Sequence, residues 1–338
     1  MRFVYLALII CLFTFLANAR GAYLLYKKQE IGSEKLYNPV FYYFNSAFDT
    51  IQNPYYFTQK DFLRRHQKVY NYTLHPHRSI KSGGGYWKLF KDEFVSSRSF
   101  PNYFLHTIGG GHDFIKLKEW YQDNNFPSPY IFSFITTYIA AFGNEALESS
   151  GSKYVGPHDH IADLLFFDLA GKIIFLNDDV VIFFRDEMGL VMWPYQPMFG
   201  LVDEDIHNAG LNYVFRPKVF GKESALRPFA FVGMQVMGGL TYNFRNEDNI
   251  SLGMGAAFID PLNNKSKLAF GAFYDRGGNL LSSLIINGSE NFRVRLNIFP
   301  GILGYKNFQT GLMMGFDRED QAFLGVNLNL PLGLSRFF

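Results

Sequence analysis

Apolar and polar side chains alternate with a period of two from about residue 210 to residue 338. In residues 322–330 the leucines and the valine fall on one face, and glycine and asparagine fall on the other. Successive side chains of a β-strand point to opposite faces, so the pattern predicts strands with one apolar surface and one small or polar surface. A soluble sandwich would cover the apolar surface with a second sheet, whereas a closed barrel in lipid would turn that surface outward.

The alternating region divides into runs separated by turn sequences such as 245–249, 260–264, 275–278 and 287–289. The predicted strands are 211–219, 229–244, 250–259, 267–274, 280–286, 292–299, 308–316 and 322–332. This spacing is typical of a small up-and-down barrel. We therefore predict a mainly β fold with a helical insertion: an antiparallel transmembrane β-barrel of about 8–12 strands plus a helical hairpin or bundle.

Charged residues inside one predicted strand favour the membrane interpretation. Arg293, Arg295 and Asn297 share one strand face, and the opposite face is apolar. Two arginines in the core of a soluble barrel would be costly, whereas a watery or ion-paired lumen tolerates them. A soluble lipocalin-like barrel stays open as an alternative. The final residues Arg336-Phe337-Phe338 resemble the sorting signal of bacterial outer-membrane barrels, in which the terminal strand ends on phenylalanine.

The N-terminus has the features of an export signal. Arg2 precedes an almost wholly apolar stretch over 3–16, and Ala17-Asn18-Ala19 fits the small-x-small cleavage rule. A retained membrane anchor is the alternative. The only cysteine, Cys11, would leave with a signal peptide, which would exclude disulfides and cysteine sites from the mature chain. No later segment reaches the roughly 20 apolar residues that a spanning helix needs.

These features predict four regions: a signal peptide (1–19), an aromatic and polar segment (20–100), a helical region (101–200) and the barrel strands (201–338). In the first region after the signal we expect extended segments and loops, with one helix over 59–70 capped by Thr58. In the helical region we expect an amphipathic stretch from His112 through Tyr121, a helix from Ser128-Pro129 to about Glu148, and a third from near His158 past Gly171. Residues 180–184 fit either a strand or a helix.

The helical region concentrates ionisable side chains among apolar ones. We expect His112, Glu145, His160 and Asp163 to converge between helices, where imidazole and carboxylate groups suit general acid–base chemistry or a divalent ion. No strong metal motif is present, and the sequence requires no cofactor. A structural account is equally available: the polar groups, including Asn144, Glu148 and Asp168, pair with one another, and Gly171 permits close helix packing.

The same region resembles a known family. His112-Asp113, a helix with Asn-Glu-x-x-Glu, and a helix with Asp-x-x-x-x-Asp-x-x-Gly are similar to the helical core of the VanZ-like membrane proteins. They also resemble related envelope proteins that place this core beside the outer membrane. The similarity covers about residues 106–175. It implies that the helices pack as a hairpin, as in that family. It also implies that His112, Glu145, Asp163 and Gly171 are important residues of this core, and more weakly that Asp168 is.

Three functions follow as hypotheses. The first is an integral outer-membrane barrel with a periplasmic or lumenal helical segment, acting in envelope architecture or small-solute passage. The second is an outer-membrane enzyme that modifies lipid or glycolipid at the His/carboxylate site. The third is a soluble periplasmic binding barrel. The expected partners are outer-membrane lipid and, during biogenesis, the barrel-assembly machinery. A formal net charge of +2 gives no indication of nucleic acid binding.

Overall fold

The chain is helical in its first part and β-stranded in its second part. A computed structural model describes residues 23–48, 61–96, 99–149, 156–221, 223–260, 265–288, 292–305 and 308–338. The predicted signal peptide with Cys11, and the predicted cap Thr58, lie outside these residues. Described helices occupy the chain up to residue 187, and strands begin at residue 191.

The α-helices are α1 (Gly32–Leu36), α2 (Pro39–Ala47), α3 (Phe62–Leu74), α4 (Pro76–Ser82), α5 (Tyr86–Leu89), α6 (Ser99–Pro101), α7 (Gly110–Asp123), α8 (Pro129–Glu148), α9 (Pro157–Ala162), α10 (Asp168–Ile174) and α11 (Asp178–Ile182). Wider π-helical turns continue several of them, at Phe90–Phe94, Asn102–Gly109, Asp163–Phe167 and Phe183–Glu187. None of the described helices is both long and apolar enough to span a bilayer.

The three helices expected in the middle of the chain are confirmed as α7, α8 and the continuous helical run over 157–174. The prediction of extended segments and loops before residue 100 is wrong, because the described part of that region is mostly helical. A local start signal was available for α2. The Asn38 side chain accepts hydrogen bonds from the backbone N–H groups of Val40 and Phe41, and Pro39 occupies the first turn of α2.

The strands are β1 (Val191–Pro194), β2 (Met198–Gly200), β3 (Ile206–His207), β4 (Leu211–Phe215), β5 (Leu226–Val232), β6 (Gln235–Asn243), β7 (Asp248–Asp260), β8 (Lys265–Arg276), β9 (Asn279–Ile286), β10 (Phe292–Tyr305), β11 (Phe308–Asp317), β12 (Ala322–Asn327) and β13 (Gly333–Phe337). They form one mixed sheet in the order β1-β4-β5-β6-β7-β8-β9-β10-β11-β12-β13-β2-β3. The sheet is antiparallel except where β13 pairs with β2.

The strand count differs from the prediction of 8–12 because two predicted runs are hairpins and three short strands precede residue 211. The run 229–244 turns back at residues 233–234, between β5 and β6. The run 322–332 turns after Asn327, whose side chain accepts from the backbone N–H of Leu330 and donates to the carbonyl oxygen of Leu330. The described residues therefore contain thirteen strands in a mixed, not wholly antiparallel, sheet.

The two ends of the strand order are joined by very little chain. β1 stands first, β2 stands next to last, and only residues 195–197 separate them. Four consecutive Cα–Cα steps reach at most about 15 Å, whereas eleven strand spacings in a flat sheet would cover roughly 50 Å. The sheet therefore curves back on itself. Among the described strands no ladder joins β1 to β2 or β3, so the hydrogen-bonded ring is not closed.

Two neighbouring rows of paired residues show that the sheet has unlike faces. The outer row, exposed or half-exposed throughout, is Leu240, Leu252, Ala272, Leu284, Leu296, Met314 and Leu324. The inner row, buried throughout, is Thr241, Ser251, Phe273, Ser283, Asn297, Met313, Gly325 and Ser335. The face that meets solvent is thus the more apolar one, which reverses the usual arrangement of a soluble sheet.

The helices contact both faces of the sheet near its first strands. On the outer face Tyr213 and Phe215 of β4 share a buried cluster with Phe114 and Leu117 of α7. On the inner face Leu36 of α1 joins a second cluster, together with Phe41, Trp193, Tyr195, Phe231 and Phe273. The bulk of the helical region thus lies beside the sheet, and α1 with the start of α2 reaches into the sheet's concave side.

Of the two arginines expected to share the inner face, only Arg295 lies there. Its guanidinium stacks 3.9 Å from the ring centre of Tyr195 and donates to Asn208 Oδ1 at 3.2 Å. Arg293 is half-exposed and pairs instead with Asp320. The cause is an irregular register between Phe292 and Val294, which interrupts the strict alternation of faces.

Candidate functional site

A buried group of imidazole and carboxylate side chains lies between the helices. Glu145 stands in the last turn of α8, His160 stands on α9, and Asp163 begins the π-helical turn that follows. His106 comes from the other π-helical segment, Asn102–Gly109. A π-helical turn inserts an extra residue, which changes the direction of the side chains after it, and such turns recur at functional sites.

The side chains lie within hydrogen-bonding and metal-binding distance of each other. His160 Nδ1 is 2.6 Å from Glu145 Oε2, and His106 Nε2 is 3.7 Å from Asp163 Oδ2. Two triads share Glu145: ligand atoms of His106, Glu145 and Asp163 all lie within 4.8 Å of one another, and so do those of Glu145, Asp159 and His160. We call these five residues the Glu145 cluster.

The cluster is nearly sealed from solvent. Glu145 is 1 % exposed, His160 is 0 % exposed and Asp163 is 4 % exposed, whereas the His106 side chain keeps 24 % of its surface accessible. His106 and the half-buried Asp159 are thus the members of the cluster that reach solvent. Tyr72 of α3 stacks on the His160 ring at 5.9 Å between ring centres and closes another side.

Burial dominates the protonation of these groups. Desolvation, reinforced by the charge of Asp159, raises the pKa of Glu145 well above its ordinary value, and desolvation with the charge of Glu145 does the same to the pKa of Asp163. Desolvation lowers the pKa of His160 and of His106 to about 4. Both imidazoles are therefore neutral at pH 7, which is the form that binds metals or accepts a proton.

Two buried atoms of the cluster have no hydrogen-bond partner among the described residues: His160 Nε2 and Asp163 Oδ1. Buried polar atoms in proteins are nearly always paired, so each unpaired atom requires an explanation. Here both atoms belong to side chains that already contact other members of the cluster.

His112, which we expected at the same site, does not join the cluster. Its Nδ1 lies 3.1 Å from Asp113 Oδ1, and Asp113 Oδ2 accepts a hydrogen bond from the hydroxyl of Tyr213 at 2.7 Å. These contacts tie α7 to β4 at the junction between the helices and the sheet. The expected convergence of four residues therefore holds for Glu145, His160 and Asp163 and is wrong for His112.

The remaining residues singled out in the sequence have packing contacts. The Asn144 amide donates to the carbonyl oxygen of Ser46 at 3.2 Å, Asp168 pairs with Lys172 inside the bundle, and Glu148 is half-buried. A Cβ at Gly171 would lie 2.1 Å from the backbone oxygen of Thr107. Gly171 thus permits the close helix approach that the structural account predicted.

Sequence reasoning missed His106 and Asp159. Asp159 stands beside His160 in the sequence His158-Asp159-His160, and that short run of ligand-type residues was the available signal. His106 has no such signal, because it reaches the cluster only through the π-helical geometry of its segment.

A shallow apolar groove runs close to the cluster. It has a volume of about 370 Å³, and it is lined by Tyr70, Thr73, Leu74, Tyr138, Ile139 and Phe142. The lining residues belong to α3 and α8, and Phe142 precedes Glu145 by one helical turn. The groove thus lies between two helices, one of which carries Glu145, and none of the five cluster residues is among its lining residues.

Comparisons of the chain with protein-family models, with curated proteins and with solved structures found no match. The similarity to the VanZ-like core accordingly stays a prediction that these comparisons do not test.

Proposed function

We propose that this chain is an integral outer-membrane protein whose sheet forms a lipid-embedded barrel that anchors the helical region at the membrane. Its role is architectural: the barrel holds the helical bundle in place at the envelope. The proposal includes export to the outer membrane, with lipid around the barrel and the barrel-assembly machinery as partners during biogenesis.

The outer row is the observation that carries the proposal. Seven directly paired residues from β6 to β12 are all apolar and reach the solvent-facing surface, and the inner row one position away is mostly small or polar. Contiguous exposed apolar patches of this extent are rare on soluble monomers. Apolar outward and polar inward positions along each strand are the arrangement of transmembrane barrels.

The course of the sheet supports closure around an axis. Because residues 195–197 link β1 to β2, the two ends of the strand order come within about 15 Å of each other at this link. A lipid-exposed sheet edge would leave backbone groups without partners, so a membrane-embedded sheet must close or be covered at that point. Tyr195 donates its backbone N–H to the carbonyl oxygen of Gly210 within this link.

The filled interior favours an anchor over a pore. Trp193, Phe231 and Phe273 pack together on the concave side with Leu36 of α1. Arg216 forms a buried pair with Asp275 at 2.7 Å, and these two charged side chains take up further space. A solute-conducting barrel keeps a water-filled lumen, whereas these side chains occupy it. Envelope architecture is therefore the better-supported of the two roles for the barrel.

Fractionation of cells expressing the full chain tests the proposal. We expect the protein to resist extraction by alkaline carbonate, to be released by detergent, and to migrate differently on electrophoresis before and after boiling. Recovery as a soluble periplasmic protein after osmotic shock would contradict the proposal and would favour a soluble binding barrel.

A second candidate is an enzyme acting on an acyl-chain-bearing substrate. The specific observation in its favour is that α8 carries both the lining of an apolar groove, at Tyr138, Ile139 and Phe142, and Glu145, whose carboxyl group is suited to proton transfer. Cells expressing the wild type should then show a change in lipid composition that cells expressing Glu145→Gln or His160→Gln lack. Both variants should still migrate differently on electrophoresis before and after boiling. Loss of correct folding in both variants, with no change in lipids, would instead show a structural role.

A further inference from the structure

We propose that the Glu145 cluster is a binding site for a divalent transition-metal ion. Glu145 is the common ligand, with His106 and Asp163 on one side and Asp159 and His160 on the other. The inference does not depend on the membrane proposal, because metal binding can be measured whatever surrounds the sheet.

The ligand atoms have the spacing that a metal requires. Ligands bound at 2.0–2.2 Å in tetrahedral geometry lie about 3.4 Å from each other. The 3.7 Å between His106 Nε2 and Asp163 Oδ2 is close to this value. The 2.6 Å between His160 Nδ1 and Glu145 Oε2 is a hydrogen bond, which orients the Glu145 carboxyl group. Each triad supplies three protein ligands, which is the number found in catalytic zinc sites that keep one position for water.

The burial of two carboxyl groups with no lysine or arginine partner in the described part of the chain is a second observation that favours a bound cation. Among the described residues neither Glu145 nor Asp163 forms an ion pair with lysine or arginine, although both are almost fully buried. Buried carboxylates are stable when they are protonated, paired or bound to a metal. His160 Nε2 and Asp163 Oδ1 have no hydrogen-bond partner among the described residues, so both atoms remain available to an ion.

The donor set defines the class of ion. Imidazole nitrogen with carboxylate oxygen suits Zn²⁺, Mn²⁺ or Fe²⁺, whereas Ca²⁺ and Mg²⁺ prefer sites made of oxygen alone. The partly exposed His106 and Asp159 are the members of the cluster that an ion reaches from solvent. His160 stacks on Tyr72, which fixes the plane of the imidazole, as supporting contacts do in metal sites.

Titration of the full chain, purified in detergent without a polyhistidine tag and stripped with EDTA, tests the proposal. Zn²⁺ and Mn²⁺ are added separately, and binding is followed by calorimetry, metal analysis after gel filtration and thermal unfolding. We expect at least one ion of Zn²⁺ or Mn²⁺ per chain and a higher Tm in its presence.

Matched variants locate the site. Glu145→Gln and Asp163→Asn should weaken binding at least tenfold, and His106→Ala, at the accessible side, should weaken it with the fold retained. Glu34→Gln is the control, because Glu34 is also a buried carboxylate but pairs with Lys116 outside the cluster. Absence of bound metal in the wild type, or equal affinity in wild type, Glu145→Gln and His106→Ala, would overturn the proposal.

Discussion

Replacing Leu252 with arginine tests whether the outer row meets lipid or water, because the two environments predict different losses in the free energy of unfolding. Leu252 is 59 % exposed near the middle of β7 and pairs with Leu240 and Ala272. In water, a polar substitution at so exposed a position changes the free energy of unfolding by no more than about 0.5 kcal/mol. In a bilayer, arginine at the midplane of a barrel costs about 2–4 kcal/mol. The second value corresponds to about a 30- to 900-fold change in the unfolding equilibrium constant.

Urea titration of the protein refolded into phosphatidylcholine vesicles measures this difference, with intrinsic tryptophan fluorescence, to which the buried Trp193 contributes, as the signal. Leu201→Arg is the matched control, because Leu201 is 58 % exposed but lies in the turn after β2. There we expect a loss of at most about 1 kcal/mol, the value for positions near the interface. Equal, small effects of both substitutions would refute the assignment of the outer row to lipid.

Three further results are expected. Gly171→Ala should destabilise the helical region by about 1–3 kcal/mol in thermal unfolding, because the added Cβ would overlap a backbone oxygen. Gly156→Ala is the control: its added Cβ meets open space, so the free energy of unfolding should change by no more than about 0.5 kcal/mol. Asp275→Ala should cost about 3–5 kcal/mol in urea unfolding by leaving Arg216 buried and unpaired, and the double variant with Asp275→Leu and Arg216→Met should recover most of that loss. The pKa of Glu145 is raised in the folded state, so the unfolded chain releases this proton at a lower pH than the folded chain does. As the pH rises above about 4.3, the metal-free wild type should therefore lose about 1.4 kcal/mol of unfolding free energy per pH unit relative to Glu145→Gln. Parallel stability–pH curves of the two proteins would show that this carboxyl group is not perturbed.

The sequence predicted the long strands well because each has two unlike faces. The runs near β7, β8 and β9 were found within a few residues, since alternation persists over eight or more positions. β1, β2 and β3 contain only two to four residues each and carry no periodic signal. Their place in the sheet comes from pairing with distant strands, such as β2 with β13, which a local pattern does not encode.

The candidate site was predictable to the extent that its helices are regular. Glu145 stands in the last turn of the regular helix α8, and His160 and Asp163 follow the clear start at Pro157, so their proximity could be inferred. His106 could not be placed, because the π-helical segment around it alters the spacing of one turn to the next. His112 stands six residues after His106, a separation that puts two side chains on different faces even of a regular helix, and it faces Tyr213.

Quenching by brominated lipid at alternating positions of one hairpin tests the central claim most directly. The only native cysteine lies in the predicted signal peptide, so single cysteines can be introduced and labelled with a fluorophore in vesicle-embedded protein. We predict strong quenching at Leu240→Cys and Leu252→Cys and little at Thr241→Cys and Ser251→Cys, because the first pair lies in the outer row and the second in the inner row. Equal quenching at all four positions, or outer-row labels that respond only to aqueous iodide, would contradict the account.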